Sequence, residues 1–224
     1  DGLSVAEYRQ GDSRFVGFDA KASVRRLIEA SEPVGDRSAW VSRAQELVKE
    51  WRDEVAPLAN SDTIPIIPER LCAEITKWLP SDAMLVADTG HAGIWTGSMV
   101  DMNEPGQGFI RCAGSLGWGL SAAMGAKCAL PDRPVLCFTG DGGFWYHMSE
   151  LETALRYGIN AVIVVNNNHS LNQEKRSNDR LYAGQPGNPE ELWHMLDVDL
   201  AKLAQTIGCF GIRVDQPGQI QSAL

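Results

Sequence analysis

No run in this chain approaches the ~20 consecutive apolar residues that a membrane-crossing helix needs, and no positively charged start leads into an apolar secretion signal. Neither a membrane span nor a cleaved leader is expected. Positive charge is also scarce, since 20 Lys and Arg stand against 29 Asp and Glu, a formal net charge of -9. That deficit argues against nucleic acid as a partner, which needs a broad basic surface. It leaves room for a local anion site, because backbone N–H groups hold phosphate without any lysine. Two nucleotide-binding patterns are missing as well, G-x-G-x-x-G after a first strand and G-x-x-x-x-G-K-[ST]. The five cysteines, Cys72, Cys112, Cys128, Cys137 and Cys209, form no C-x-x-C pair and are odd in number. Reduced, buried thiols in a cytoplasmic protein are the expectation.

What remains is ordinary material for a globular fold. The 224 residues are 44% hydrophobic and 22% charged, enough to bury a core. Both ends read as cut from a longer polypeptide. Residues 1–55 are polar and mostly helix-like, with apolar positions at helical spacing over 20–30 and 43–55. Residues 55–68 have linker composition, with Pro57, Pro65 and Pro68 among Asn60, Ser61 and Asp62. Pro68 suits the first turn of a helix reaching about Leu79, which puts Leu71, Ile75 and Trp78 on one face. Strands then alternate with helices. Strands are expected at 84–87, 109–112, 134–139, 161–165 and 211–214, and helices at 117–130, 147–157, 200–207 and 217–224. The run 161–165 reads as a central parallel strand covered on both faces, and Gly158 as the end of the helix before it. The fold class is therefore α/β, a parallel sheet flanked by helices. Two segments are expected: 1–63, the tail of a preceding domain with its linker, and 64–224, the sheet domain. In such sheets ligands bind beyond the carboxyl ends of the strands. The polar loops at Asp88, Gly140 and Asn166 all follow strands, so one crevice can collect all three.

Two of those loops carry chemistry. Gly140-Asp141-Gly142-Gly143 follows the strand ending at Thr139. Glycines there let the backbone approach an anion and adopt positive φ, and the following helix offers free N–H groups to phosphate oxygens. Asp141 beside a phosphate would repel it unless a cation lay between, which points to Mg2+ or Ca2+. Read alone, a Gly-Asp-Gly sequence is more often only a turn. Asn166-Asn167-Asn168-His169-Ser170 follows the next strand. Asparagines there are poor packing residues but good neutral oxygen ligands, and their plainer role is an Asx-turn. Asp141 and Asn168 stand 27 positions apart on loops after two strands joined by a helix. A right-handed crossover brings such loops side by side.

This arrangement resembles the cofactor motif of thiamine-diphosphate-dependent enzymes, and looks closest to the family of acetolactate synthase, benzoylformate decarboxylase and glyoxylate carboligase. The resemblance covers roughly residues 64–224. It implies thiamine diphosphate and Mg2+ as cofactors, with Asp141, the Asn168 side chain and the Ser170 carbonyl as metal ligands. The triple asparagine leaves a one-residue slip open, with Asn167 and the His169 carbonyl in their place. Gly140, Asp141, Gly142, Gly143 and Asn168 then belong to the diphosphate site. Gly114-Ser115-Leu116-Gly117 resembles the segment beneath the cofactor. There the resemblance implies that Leu116 wedges the two rings into a bent conformation and that the Gly114 carbonyl meets the 4′-amino group. Asp88-Thr89-Gly90-His91 sits where the family has a second diphosphate loop, which makes Gly90 and His91 candidates. His147 and His194 read as structural.

The family's activating glutamate lies on a separate pyrimidine-binding domain that nothing in this chain resembles. The resemblance thus implies the diphosphate-binding portion of a 2-oxo acid decarboxylase or carboligase, inactive by itself. It also implies a homodimer or homotetramer formed through the missing domain, acting on a small-molecule 2-oxo acid. Some members carry FAD on the middle domain, so FAD in a longer parent stays open. Residues 171–176 depart from the acetolactate synthase pattern, which has a tryptophan soon after the metal loop. The stretch 176–189 reads as a loop covering the site. Two rivals stay open: another phosphate compound at the Gly140 turn, and an interaction module that keeps the fold without the chemistry.

Overall fold

The computed structural model describes residues 8–10, 13–15, 19–32 and 35–224. The chain divides into two compact units, Asp1–Trp51 and Arg52–Leu224. In the first, strands β1 (Tyr8–Gln10) and β2 (Ser13–Phe15) pair antiparallel. Helix α1 (Ala20–Ala30) starts where the Asp19 side chain accepts from Ala22 N–H, filling one of the free donors of its first turn. Helix α2 (Ser38–Ala59) begins in this unit and ends in the second. The expected helices at 20–30 and 43–55 are therefore present. The remainder of the helical reading over 1–55 that falls on residues 1–7, 11, 12, 16–18, 33 and 34 lies outside the described residues. The linker is shorter than composition suggests, because α2 continues through Pro57 to Ala59.

The second unit is a parallel α/β layer. Helix α3 (Pro68–Trp78) opens on Pro68 and leads to β3 (Met84–Ala87). Helix α4 (His91–Met99), β4 (Gly108–Arg111), α5 (Trp118–Ala129) and β5 (Val135–Gly140) follow. Then come α6 (Asp141–His147), α7 (Glu150–Tyr157) and β6 (Val162–Asn166). Helix α8 (Asn172–Leu181), a 3-10 turn at Pro189–Leu192, α9 (Leu200–Ile207), a second 3-10 turn at Pro217–Gln219 and α10 (Ile220–Ala223) complete it. The four strands run parallel in the order β4-β3-β5-β6.

Both sheet faces are apolar because side chains alternate along each strand. Leu85, Leu136 and Phe138 pack with Cys72, Ile75, Leu79 and Ala92 of the α3–α4 side, joined by Leu71 and Trp78 as the helical spacing requires. Val86, Val135 and Cys137 face α5, whose Ala122, Ala123 and Ala126 present only small side chains to the sheet. A third cluster joins Leu120, Phe144 and Leu151 to Leu200, Leu203 and Ile207 of α9. Gly158 ends α7 at φ 64, the left-handed position expected of it.

Several expectations change. The helix expected at 147–157 is two helices with a break at Met148–Ser149, and the first begins directly at Asp141. The strand β6 is an edge strand, half-buried along its length, rather than central. Residues 211–214 form no strand. The Gly211 carbonyl accepts instead from the Gln205 side chain at 2.7 Å, and its Cα lies so close to Ala201 that a Cβ would meet the Ala201 carbonyl. The backbone group a ladder would use is thus held by α9. Residues 176–181, read as loop, belong to α8, where Lys175 pairs with Asp179 across one turn at 2.9 Å and lies over the Trp193 ring. The cysteines are free thiols, but only Cys72 and Cys137 are buried; Cys112 and Cys209 are half-buried and Cys128 is exposed. Burial pushes the Cys72 thiol up to about 12, helped by the charge of Glu69. Among the described residues no helix is long and apolar enough to cross a membrane.

Candidate functional site

The sheet register places the polar loops together. Gly140 at the end of β5 lies opposite Asn166 at the end of β6, and Ala87 at the end of β3 lies opposite Phe138. Loops leaving β3, β5 and β6 therefore emerge from one edge of the sheet, as does the loop after β4, whose Arg111 is level with Ala87.

Asp141 is the first residue of α6 and is 3% exposed. One carboxylate oxygen accepts from Gly142 N–H at 2.9 Å, and the other from Ser170 N–H at 3.0 Å. Burial raises the Asp141 carboxyl above the ordinary carboxylate range, and these two N–H groups, together with the charge of His169, only partly offset it. Ser170 forms an antiparallel bridge with His194, flanked by Leu171 N–H donating to Trp193 O at 2.8 Å and Met195 N–H donating to His169 O at 2.7 Å. In that pattern the bonds belong to the flanking residues. The N–H and carbonyl of Ser170 are both turned away from His194, and the N–H meets Asp141. The Ser170 hydroxyl is buried there without a partner.

The two asparagines after β6 differ. Asn167 Oδ1 accepts from His169 N–H at 3.2 Å, the Asx-turn of the plainer reading, and His169 adopts φ 54. Asn168 is exposed, and its side chain has no hydrogen-bond partner among the described residues. Among the described residues no group of three or more His, Cys, Asp or Glu side chains converges on a metal position. A cation here has to draw on one carboxylate plus amide and carbonyl oxygens, a donor set suited to hard cations such as Mg2+.

The glycines of the turn act differently from expectation. Gly140 has φ -85, and neither Gly142 nor Gly143 has positive φ, because all three stand at the start of a regular helix. Their need for glycine is steric. A Cβ on Gly142 would strike Leu171, and one on Gly143 would overlap the Asp88 carboxylate and Thr139 Oγ1. Only Gly140 has open space around it, with nothing nearer than Asn166 O at 4.0 Å.

Gly90 does adopt a glycine-only backbone, φ 86 and ψ -149, as the N-cap of α4. It has no side chain to cap the helix, so the first-turn N–H groups, from His91 onward, are left for another acceptor. The side chain of Gln173 on α8 reaches this point, 3.1 Å from where a Gly90 Cβ would stand. Gly114 (φ 96) and Gly117 (φ 91) flank Ser115, which is exposed, and Leu116, which is half-buried. His147 packs against Gly117 and His194 lies edge-on to Trp193.

One residue at the centre of these loops escapes sequence reasoning. Asp88 is 0% exposed. It accepts from Thr89 N–H at 2.7 Å, from Gly117 N–H at 3.0 Å and from the Thr139 hydroxyl at 2.8 Å. Gly119 and Gly143 both press against it. The available signal was an acidic residue directly after a fully apolar strand, in the same position that Asp141 holds after β5.

Residues 88–224 match the family model described as the thiamine pyrophosphate enzyme, C-terminal TPP binding domain. Acetolactate synthase isozyme 3 large subunit of Escherichia coli is 27% identical over 232 residues, covering 100% of this chain and 39% of that protein. The acetolactate synthase large subunit of Haemophilus influenzae is 30% identical over 179 residues, 79% of this chain and 30% of the relative. A putative thiamine pyrophosphate-containing protein of Bacillus subtilis, YdaP, is 28% identical over 208 residues, 92% of this chain and 35% of the relative. The chain spans less than two fifths of the length of these relatives.

Proposed function

Because the chain belongs to the thiamine pyrophosphate enzymes, matched over their C-terminal cofactor-binding domain, we propose that residues 64–224 hold the Mg2+-bridged diphosphate of thiamine diphosphate in a 2-oxo acid decarboxylase or carboligase, and that 1–63 are the tail of a preceding domain and its linker. The observation that carries this reading is the buried Asp141 carboxylate bonded to Ser170 N–H, with the Ser170 carbonyl turned to the same side. A carboxylate raised by burial is costly unless a cation compensates it. Asp141, Asn168 and the Ser170 carbonyl are the proposed ligands. The alternative set is less available, since Asn167 Oδ1 and the His169 carbonyl already accept hydrogen bonds.

The fit extends to the rest of the cofactor. Gly140 leaves the entrance of the turn open, and the first-turn N–H groups of α4, with those of α6 other than the Gly142 N–H that Asp141 accepts, suit diphosphate oxygens. Gly90, His91, Gly142 and Gly143 lie on those two turns. Leu116, half-buried between the left-handed Gly114 and Gly117, is the apolar support beneath the rings, with Ser115 beside it. When bound, thiamine diphosphate supplies the carbon nucleophile and electron sink that 2-oxo acid chemistry requires. This chain's own contribution is to anchor and orient: Asp141 and Ser170 fix the metal end, and Leu116 fixes ring position. The acid that activates the pyrimidine is proposed to come from a domain outside this chain, in a cytoplasmic homodimer or homotetramer.

Calorimetric titration of thiamine diphosphate, with and without Mg2+, into the protein and into Asp141→Ala tests the reading. Magnesium-dependent binding that disappears in Asp141→Ala is expected. Binding that ignores both Mg2+ and the substitution would overturn the metal-bridged site, and equal affinity for ADP would favour another phosphate ligand.

A further inference from the structure

We infer that Asp88 and Thr89 are positioning residues that clamp the loop carrying Leu116 to the diphosphate turn; the inference rests on the cofactor reading above. The two adjacent side chains seize both ends of that loop. Thr89 Oγ1 accepts from Gly114 N–H and from Ser115 N–H, each at 3.2 Å, and donates to the Cys112 carbonyl at 2.7 Å. Asp88 Oδ1 accepts from Gly117 N–H at 3.0 Å. Leu116 is the residue between the two clamped points.

The other side of the clamp reaches the diphosphate turn. Asp88 Oδ2 accepts from the hydroxyl of Thr139, the residue just before Gly140-Asp141. Asp88 N–H also donates to the Phe138 carbonyl at 2.9 Å, so the clamp is built into the β3–β5 ladder rather than resting on it. One wholly buried carboxylate thus fixes the distance between the support for the rings and the site for the diphosphate. A buried charge needs its acceptor capacity filled. Here three donors from three segments fill it, which makes their relative placement stiff.

The clamp also accounts for glycines around it. A Cβ on Gly119 would stand 2.8 Å from Asp88 Cβ, and one on Gly143 would overlap the carboxylate itself. Gly114 and Gly117 at positive φ turn the loop so that its N–H groups point inward at Thr89 and Asp88. The family resemblance makes Gly90 and His91 of this segment the diphosphate candidates. Gly90 and His91 stand at the start of α4, whereas Asp88 and Thr89 act through the neighbouring loop.

Thr89→Val removes the hydroxyl at nearly constant shape, and Thr89→Ser retains it. Each variant is titrated with Mg2+–pyrophosphate, which engages only the diphosphate turn, and with Mg2+–thiamine diphosphate, which also engages the Leu116 loop. Amide exchange of residues 112–117 is followed without ligand. Thr89→Val is expected to leave pyrophosphate affinity within about twofold and to weaken thiamine diphosphate about tenfold, the size of one lost positioning interaction. Exchange at Gly114 and Ser115 accelerates, and Thr89→Ser restores both properties. Equal loss of both ligands, no loss of either, or no recovery in Thr89→Ser would overturn the clamp. If the parent protein binds neither ligand, the cofactor reading fails. The clamp is then judged by exchange alone, where unchanged Gly114 and Ser115 amides refute it.

Discussion

Gly143→Ala sets the packing around Asp88 against helix propensity. Gly143 lies in α6, so on intrinsic preference alanine should stabilise the helix by about 0.5–1 kcal/mol. The structure predicts the reverse. The added Cβ would overlap the Asp88 carboxylate and stand 2.7 Å from Thr139 Oγ1. Neither can withdraw easily, because Asp88 and Thr139 are both 0% exposed and bonded to each other at 2.8 Å. Overpacking of this kind costs about 1–3 kcal/mol. Separating a buried hydroxyl from a charged acceptor adds about 1.5–3 kcal/mol. After subtracting the propensity gain, the net loss is about 1.5–5.5 kcal/mol. In urea unfolding, at a slope of about 2 kcal/mol/M, the midpoint falls by ~1–3 M. Gly125→Ala is the internal control. It lies in α5 with open space where its Cβ would go, so it should gain about 0.5–1 kcal/mol. A Gly143→Ala midpoint equal to or above the parent's, with Gly125→Ala behaving as stated, would refute the buried Asp88 arrangement.

Magnesium-dependent cofactor binding should weaken on acidification from a higher pH than an ordinary aspartate would dictate, because burial raises the Asp141 carboxyl and its proton competes with the metal. Calorimetry across pH checks this, and a midpoint at or below the usual aspartate range would contradict it. Without metal the sign reverses. The folded state holds the Asp141 proton more tightly than the unfolded state, so this group's contribution to stability declines as pH rises through its raised range. Glu74 behaves oppositely. Burial pushes its carboxyl up, but hydrogen bonds from Lys77 and Gln221 and the charges of Lys77 and Arg70 outweigh it and hold the group below its ordinary value. Its contribution is complete above the unfolded glutamate range and is lost as pH falls through the lowered folded value, a loss that Glu74→Gln should remove from the stability profile. This chain alone should show no decarboxylation or carboligation of 2-oxo acids, and measurable turnover would mean that an activating acid lies within it.

The short-range features were legible in the sequence for a physical reason. Continuous apolar runs and apolar positions at helical spacing depend only on which faces of an element are buried, so the parallel sheet and the helices at 20–30, 68–79, 117–130 and 200–207 could be read directly. Pro68 and Gly158 marked a helix start and a helix end because their backbone restrictions are local. The 27-residue spacing of Asp141 and Asn168 marked a crossover that sets two loops side by side, and the structure places Ser170 N–H on Asp141.

What tertiary structure decided were matters of neighbourhood. That β6 lies at an edge, with residues 211–214 outside the sheet and Gly211 held against Ala201 and the Gln205 side chain, is a matter of tertiary contacts. Gly142 and Gly143 read as flexible turn residues, but the space they vacate belongs to Leu171 and Asp88, which stand 29 and 55 positions away. Asp88 itself looked like one more polar loop residue. Its role emerges only when the ends of β3 and β5 and the loop after β4 meet, because a carboxylate's partners are set by what the fold brings within about 3 Å and not by its neighbours in the chain.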